Sequence, residues 1–436
     1  MGKQVTYKTL ISPVAVQLEL TPRCNNVCVY CYNAWRGNEN LEHELTLDEH
    51  MQIADSLIQS ETLEIVLTGG EPLLRRDLIY PLAKKYTKNG VHVGLNSNLV
   101  KITNEDCHDI LTSGISGVLG SLSSHKEGIY NQITQTNNYS NVVRGIKLLV
   151  EYEIPLALNM VVIQSNKDHV YETGKFAHSL GVKAFCATPA SPSKFLSPKE
   201  ELSVSDIIST LDDLLRLKND LGMNVDIVEP LPRCLFSDPL RYEHFLKRDC
   251  GAGKTTVVIS SSGKIRPCTH VPLEYGNILR DGIKGPWIQM QEWRDGNFTP
   301  EECSPCDELS ICSLGCREAS QLKCGKYNQL DPWSNPNNVG ERKFVSDRVE
   351  VQGNEEYHVT KEIRFREESD SQRLVLDPQS RSMALLNEDF FSFLLLLNKR
   401  QTFNVGEIIN EFGPRALNLI NYLKSKNLIK LQEVKK

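Results

Sequence analysis

The sequence predicts an α/β protein: a parallel sheet covered by helices, then a loop-rich cysteine region, then a small C-terminal domain. Three observations predict it. Strand-like apolar runs alternate with amphipathic helical patterns from about residue 12 to 230. Seven cysteines crowd between Cys250 and Cys324, where periodicity is weak. From residue 343 short strand patterns return and lead into three helical ones.

The strand-like runs of the first part (12–230) are "VAVQLEL" (14–20), "LEIVLTG" (63–69), "VHVGLN" (91–96), "ISGVLGSL" (115–122), "PLALNMVVI" (155–163) and "VKAFCAT" (182–188). They are nearly continuous in apolar residues, as strands buried on both faces are. Helical patterns lie between them. Thr46 and Glu49 make a capping-box signature ahead of "MQIADSLI",. Thr103 caps another helix, which Gly114 ends, and Ser203 starts a third with Ile207, Ile208, Leu211, Leu214 and Leu215 on its apolar face,. Six such units imply a parallel sheet, barrel-like or doubly wound. In a barrel the chemistry sits in the loops after the strands. "TPRCNNVCVYC" (21–31) follows the first strand and "GGEP" (69–72) the second. In the second part (231–330) metal has to substitute for an apolar core, and "NQLDPWSNPNNVGER" (328–342) reads as a linker. The third part (343–436) offers "KFVSDRVEV", "YHVTKEIRF" and "RLVLD" as strands, then "SMALLN" and the helix "EDFFSFLLLL" with Asn387 as N-cap. Two more helices, "VGEIINEF" and "RALNLINYLKSKNLI", complete a winged-helix-like pattern.

The 436 residues, 40% hydrophobic and 24% charged, have the composition of an ordinary globular protein,. No apolar run approaches the roughly 18 residues of a membrane span. "MGKQVTYKTL" carries no apolar targeting segment, so a cytoplasmic protein without a membrane partner is expected,. A net charge of −6 argues against a nucleic-acid partner across the whole surface,. In a reducing compartment the 13 cysteines are thiols rather than disulfides,. Their clustering points to metal.

Cys24, Cys28 and Cys31 form a C-x3-C-x2-C triplet directly after the first strand. A structural zinc needs a fourth ligand, which the loop does not supply. An iron–sulfur cubane takes one ligand per iron, so three cysteines leave one iron open, a catalytic arrangement. Here the sequence resembles the radical S-adenosylmethionine (radical SAM) superfamily, whose signature is this spacing with an aromatic residue, here Tyr30, before the third cysteine. The resemblance implies a partial (β/α)6 TIM-like barrel and a 4Fe–4S cluster on Cys24, Cys28 and Cys31. Its open iron would chelate S-adenosylmethionine, and one electron would release a 5′-deoxyadenosyl radical that takes a hydrogen atom from substrate. It also implies that Gly69, Gly70, Glu71 and Pro72 receive the cofactor's amino group. "NSNLV" (96–100) resembles the family's Thr-Asn-Gly turn, with Ser97 and Asn98 in place and Leu99 replacing Gly. "GSLSS" (120–124) resembles its Ser-Leu-Asp, with Ser121 kept and Ser123 replacing Asp. Arg144 is implied for the cofactor carboxylate.

The second group is Cys250 and Cys268, with Gly263 between them, then Cys303, Cys306, Cys312, Cys316 and Cys324. A zinc ribbon explains paired C-x2-C motifs but not this interleaved set. The set resembles the SPASM extension, which carries two auxiliary 4Fe–4S clusters. The resemblance implies an outer cluster on Cys303, Cys306, Cys312 and Cys324. An inner cluster falls to Cys250, Cys268 and Cys316, completed by Cys234 or left open. Cys107 and Cys186 fall in helix and strand patterns and read as small buried hydrophobes. "CGAGKTT" (250–256) imitates a phosphate-binding loop, but Arg248 stands where its first glycine belongs and no buried strand precedes it,.

SPASM-type enzymes mostly modify peptides by crosslinking, thioether formation, oxidation or epimerisation. "RLVLDPQSRSMALLNEDFFSFLLLL" resembles the PqqD-like peptide-recognition element, which captures a leader peptide as an added strand,. The implied function is radical maturation of a precursor peptide, with a reducing partner such as flavodoxin or ferredoxin. Alternatives are an anaerobic sulfatase-maturating enzyme forming formylglycine, and a non-catalytic iron–sulfur or zinc scaffold.

Overall fold

The structure, a computed structural model, describes residues 3–33, 43–339, 351–360, 363–378, 382–400 and 402–432. Met1–Arg342 and Lys343–Lys436 form two compact units.

The first unit is built on one sheet. Its strands are β1 (Ala15–Glu19), β2 (Glu64–Thr68), β3 (His92–Ser97), β4 (Gly117–Ser121), β5 (Leu156–Val162), β6 (Ala184–Pro189), β7 (Asn224–Asp226), β8 (Thr256–Ile259) and β9 (Ile265–Arg266). They lie in the order β7-β6-β5-β4-β3-β2-β1-β8-β9. Every neighbouring pair is parallel except β8–β9. All six expected strands are present, in sequence order and linked by helices, which is the partial-barrel arrangement. Val16, Leu18, Ile65, Leu67, Val93 and Leu158 are buried in it.

The helices begin where the sequence places their caps. Thr46 opens α1 (Leu47–Gln59) and Thr103 opens α3 (Asn104–Ser113), each through a reciprocal capping box. The helix between them is α2 (Arg76–Lys88). Gly114 ends α3 with φ of 77°, a conformation glycine adopts without penalty,. Helices α4 (Glu127–Thr134), α5 (Tyr139–Glu151) and α6 (Val170–Ser179) follow. Ser203 caps α7 (Val204–Leu221), whose Ile207, Leu211, Leu214 and Leu217 are fully buried, while Ile208 and Leu215 of the expected face lie at its margin and are half-buried. No helix among the described residues is long and apolar enough to cross a membrane.

The sheet does not stop where the barrel pattern ends. The loop-rich reading of the cysteine region missed a hairpin, β8–β9, which covers the open edge of β1. Its strands are four and two residues long, too short for a periodicity signal,. A buried ion pair fixes the hairpin. The Arg266 guanidinium on β9 meets both carboxylate oxygens of Glu19, the last residue of β1, at 2.6–2.7 Å. The same guanidinium donates to the carbonyls of Thr269 and Val271, at 3.1 and 3.3 Å. One side chain therefore holds the end of β1 and the loop after β9.

The second unit has a core of Tyr357, Val375, Leu386, Leu394, Leu397 and Ile420. Helices Glu388–Lys399, Val405–Phe412 and Arg415–Ser425 form as expected, the first capped by Asn387. The strands need correction. "KFVSDRVEV" lies outside the described residues except for its last valine. "YHVTKEIRF" is not one strand but supplies two, β10 (Glu356–Val359) and β11 (Arg364–Glu367), in different sheets. β10 lies between β14 (Phe403–Asn404) and β15 (Ile429–Leu431), neither of which the sequence marks. β10 is thus paired on both sides. The second sheet is β11, β12 (Arg373–Asp377) and β13 (Ser382–Leu386), with β12 in the middle.

Replacing Arg266 alone with Met leaves Glu19 charged and buried, a loss of about 3–5 kcal/mol for a broken buried pair. Chemical unfolding should show a loss of that order, and Arg266→Met with Glu19→Leu should recover most of it. A single variant as stable as the parent would show that the pair does not hold the hairpin.

Candidate functional site: cysteine-lined centres

The first cysteine loop is seated on its own barrel by backbone contacts. Gly70 N–H donates to the Thr21 carbonyl at 2.7 Å and Glu71 N–H to that of Arg23 at 2.9 Å. Gly69 has φ of 135°, and a Cβ on Gly70 would fall 2.1 Å from the Arg23 oxygen. The two glycines are required because the cysteine loop lies against them. On its other side the loop is tied to the end of α4, by Val27 N–H to Thr134 and Val29 N–H to Ile133, each at 3.0 Å.

The Glu71 carboxylate is fully buried. It accepts from Leu73 N–H at 3.1 Å, the Ser97 hydroxyl at 2.7 Å and Asn98 N–H at 2.8 Å. Burial holds its carboxyl above the usual range, against the pull of those donors,. Asn98 Nδ2 donates to Asn25 at 2.9 Å and lies 3.7 Å from Cys24 Sγ. Leu99 has a left-handed backbone, with φ of 64°. That costs a non-glycine residue roughly 1–2 kcal/mol. Gly120 and Gly145 make room for it, since a Cβ on either would come within 2.4 Å of Leu99 atoms. The Tyr30 hydroxyl meets Ser123 Oγ at 3.0 Å. Ser121 ends β4. Arg144, exposed on α5, donates to the Val100 carbonyl at 3.4 Å. Tyr30, Glu71, Ser97, Asn98 and Ser123 thus gather at the cysteine loop, while Arg144 stays on the solvent side of the turn.

Cys24, Cys28 and Cys31 are free thiols. Burial pushes the Cys24 thiol up to about 11, with Glu71 and Cys31 adding to the rise. Glu71, the carboxylate whose charge Cys24 feels, is already committed to three donors. The set therefore offers three sulfurs, which fits a cubane with one open iron. Bound cations would supply the positive charge that the thiolates lack.

The thiols of the second region fall into two electrostatic groups. Burial raises the thiols of Cys250, Cys268 and Cys316, Cys268 to about 12, and each also feels the charge of Glu229. Burial likewise raises Cys303, to about 12, and Cys312; Cys234 and Cys306 contribute to both. Cys234 is thus an electrostatic neighbour of Cys303, Cys306 and Cys312. Arg233 N–H donates to Cys312 Sγ at 3.5 Å, and Ser313 Oγ to the Leu231 carbonyl at 3.0 Å. Arg233 also pairs with Glu243 and Glu308. These contacts latch the 231–235 segment onto the outer loop. Cys324, expected in the outer set, is exposed at the end of the helix Arg317–Cys324. Cys107 and Cys186 are buried apolar residues, as read. Lys254 of the false phosphate loop is buried, its Nζ 3.8 Å from the Tyr7 ring and 4.0 Å from Asp249.

Residues 18–177 match the radical SAM superfamily and residues 250–307 the iron–sulfur cluster-binding SPASM domain. The chain is a radical SAM enzyme with a SPASM domain. Its cofactors are 4Fe–4S clusters and S-adenosylmethionine. This radical SAM chain is 24% identical over 339 residues to an AdoMet-dependent heme synthase of Methanosarcina barkeri, covering 74% of this chain and 96% of that one. It is 24% identical over 346 residues to a PqqA peptide cyclase of Bradyrhizobium diazoefficiens, covering 75% and 87%. Streptococcus suis SuiB bound to S-adenosylmethionine superposes with a TM-score of 0.60 at 16% identity, over 74% of this chain and 78% of that one. AnSMEcpe with bound AdoMet superposes at 0.59 and 18% identity, over 74% and 90%.

When bound, cluster and cofactor together supply a carbon radical by one-electron reduction. The chain's own residues seat the loop and fix the turn beside it. Three residues of this radical SAM enzyme escaped sequence reading. The ring of Tyr32, next to Cys31, stacks on His270 with centroids 4.0 Å apart. His270 Nε2 lies 3.4 Å from Glu229 Oε1. No motif marks these contacts, because they join three segments distant in the chain.

The seat of the first loop can be tested at Gly70. Gly70→Ala places its Cβ on the Arg23 carbonyl and should displace the cysteine loop. Anaerobically reconstituted variant should lose at least about 10-fold in cofactor cleavage, the tenfold step expected from about 1.4 kcal/mol of misplacement. Parent-level cleavage would show that the close approach is not needed.

Proposed function

We propose that this enzyme matures a peptide, using a radical generated at Cys24, Cys28 and Cys31 to take a hydrogen atom from a residue of a precursor. In this reading Gly69, Gly70, Glu71, Pro72, Tyr30, Ser97, Asn98 and Ser121 line the cofactor site. Cys250, Cys268 and Cys316 hold an inner auxiliary cluster. Cys234, Cys303, Cys306 and Cys312 hold an outer one, with Cys324 outside the set. The Tyr32–His270 stack joins the first site's loop to the inner cysteines. A cavity opens there, lined by Tyr32, Lys194, Phe195, His270, Pro272 and Glu318. A substrate side chain held in it would stand between the two sites.

The observation that carries the peptide reading is the edge of β13. Among the described residues β13 pairs with β12 alone, and its sequence, Ser-Met-Ala-Leu-Leu, has no charge to repel an incoming strand,. The opposite edge, β11, carries Arg364, Arg366 and Glu367. An added peptide strand would take its backbone hydrogen bonds from β13. Relatives named PqqA peptide cyclase and a structure of SuiB bound to its precursor peptide SuiA support a peptide substrate. A reducing protein would supply the electron, and oxygen-sensitive clusters suit a cytoplasmic location.

Deleting everything after Asn337 removes the second unit and keeps every cysteine. The truncated enzyme should still cleave S-adenosylmethionine. Its affinity for the precursor peptide should fall by about 10-fold or more, worth about 1.4 kcal/mol of lost strand pairing. Equal affinity in full-length and truncated enzyme would reject capture at β13. Mass spectrometry of the full-length reaction tests the larger reading: a precursor that loses hydrogen supports it, whereas turnover of a sulfatase peptide or a porphyrin instead would replace it.

A further inference from the structure

The inner set has three cysteines, and a cubane has four irons to satisfy. The segment after β7 supplies the candidate for the fourth. Glu229 lies there, its carboxylate, the His270 ring and Cys316 Sγ all within 4.8 Å of one another. It is the shared electrostatic neighbour of Cys250, Cys268 and Cys316. The segment itself is anchored, with Val228 N–H donating to Thr188 Oγ1 at 3.1 Å. His270 is a poorer ligand than Glu229, since its ring is stacked flat on Tyr32 and its Nε2 faces the carboxylate at 3.4 Å. A ligating carboxylate is itself held by hydrogen bonds, and the His270 ring is placed to supply one to Glu229,.

We propose that the Glu229 carboxylate is the fourth ligand of the inner auxiliary cluster, oriented by His270. This rests on the reading of Cys250, Cys268 and Cys316 as cluster ligands. It makes the nine residues 226–234 a bridge, with Glu229 serving the inner cluster and Cys234 the outer. It also closes the inner cluster, so that substrate meets Tyr32 and His270 rather than a bare iron. Three thiolates and a carboxylate match the charge of four thiolates, and buried Lys254 lies beside Cys250.

The test is spectroscopic, on reconstituted full-length holoenzyme. Excess S-adenosylmethionine first occupies the open iron of the first site, and potassium cyanide is then added to the reduced protein. The parent's auxiliary EPR signals should not change. In Glu229→Gln the signal of one auxiliary cluster should shift with cyanide. Glu229→Cys, with a new thiolate, should again be insensitive and keep full iron. A parent signal that cyanide shifts at an auxiliary cluster overturns the proposal without any variant. So does a folded Glu229→Gln enzyme with full iron and no cyanide response. Parent enzyme without auxiliary iron would instead sink the underlying reading of the cysteines.

Discussion

The buried pair between Arg266 and Glu19 is the constraint on which the arrangement depends. Glu19 ends the strand that launches the first cysteine loop, and Arg266 precedes Cys268 by two residues. Two charges out of water are tolerable only when paired and fully hydrogen-bonded. Arg266 meets that demand by also taking the carbonyls of Thr269 and Val271. The loop that carries Cys268 and His270 is thereby shaped by the residue that fixes the end of β1. The Tyr32–His270 stack follows from this geometry, and with it the contact between the two cysteine regions.

A second demand is charge. Buried thiols resist ionisation, and Cys24, Cys268 and Cys303 are all pushed up by burial. Bound cations make thiolates favourable in such surroundings, which couples metal binding to the stability of these loops. The region also has an apolar core, which its cysteine-rich, loop-rich sequence did not suggest: Val257, Ile259, Ile265, Trp287, Met290 and Trp293 are buried. Its helices are short, and Arg317 spends its guanidinium on the carbonyls of Leu314, Tyr327 and Gln329.

What the sequence made legible was local. The C-x3-C-x2-C triplet, GGEP and the capping boxes each lie within a few residues, where spacing alone determines geometry. The six barrel strands were legible because strands buried on both faces read as long apolar runs. The contact of the Cys234 segment with Cys312 was not, because Cys312 is 78 positions away and the latch is a backbone N–H of Arg233. Glu229 and Tyr32 were invisible for the same reason. In the second unit "YHVTKEIRF" has the alternation of one strand, and nothing local says that β10 and β11 take different partners.

The central claim is that the three cysteine-lined sites hold three separate clusters, the first of which alone activates S-adenosylmethionine. Iron and sulfide analysis with Mössbauer spectroscopy tests it most directly, on anaerobically purified parent and on the chain with Cys24, Cys28 and Cys31 all changed to Ala. Three cubanes give the parent about 12 irons. The triple variant should keep about eight of them, as cubanes, and cleave no S-adenosylmethionine. A variant that still cleaves the cofactor, or a parent that holds zinc in place of iron, would contradict the account.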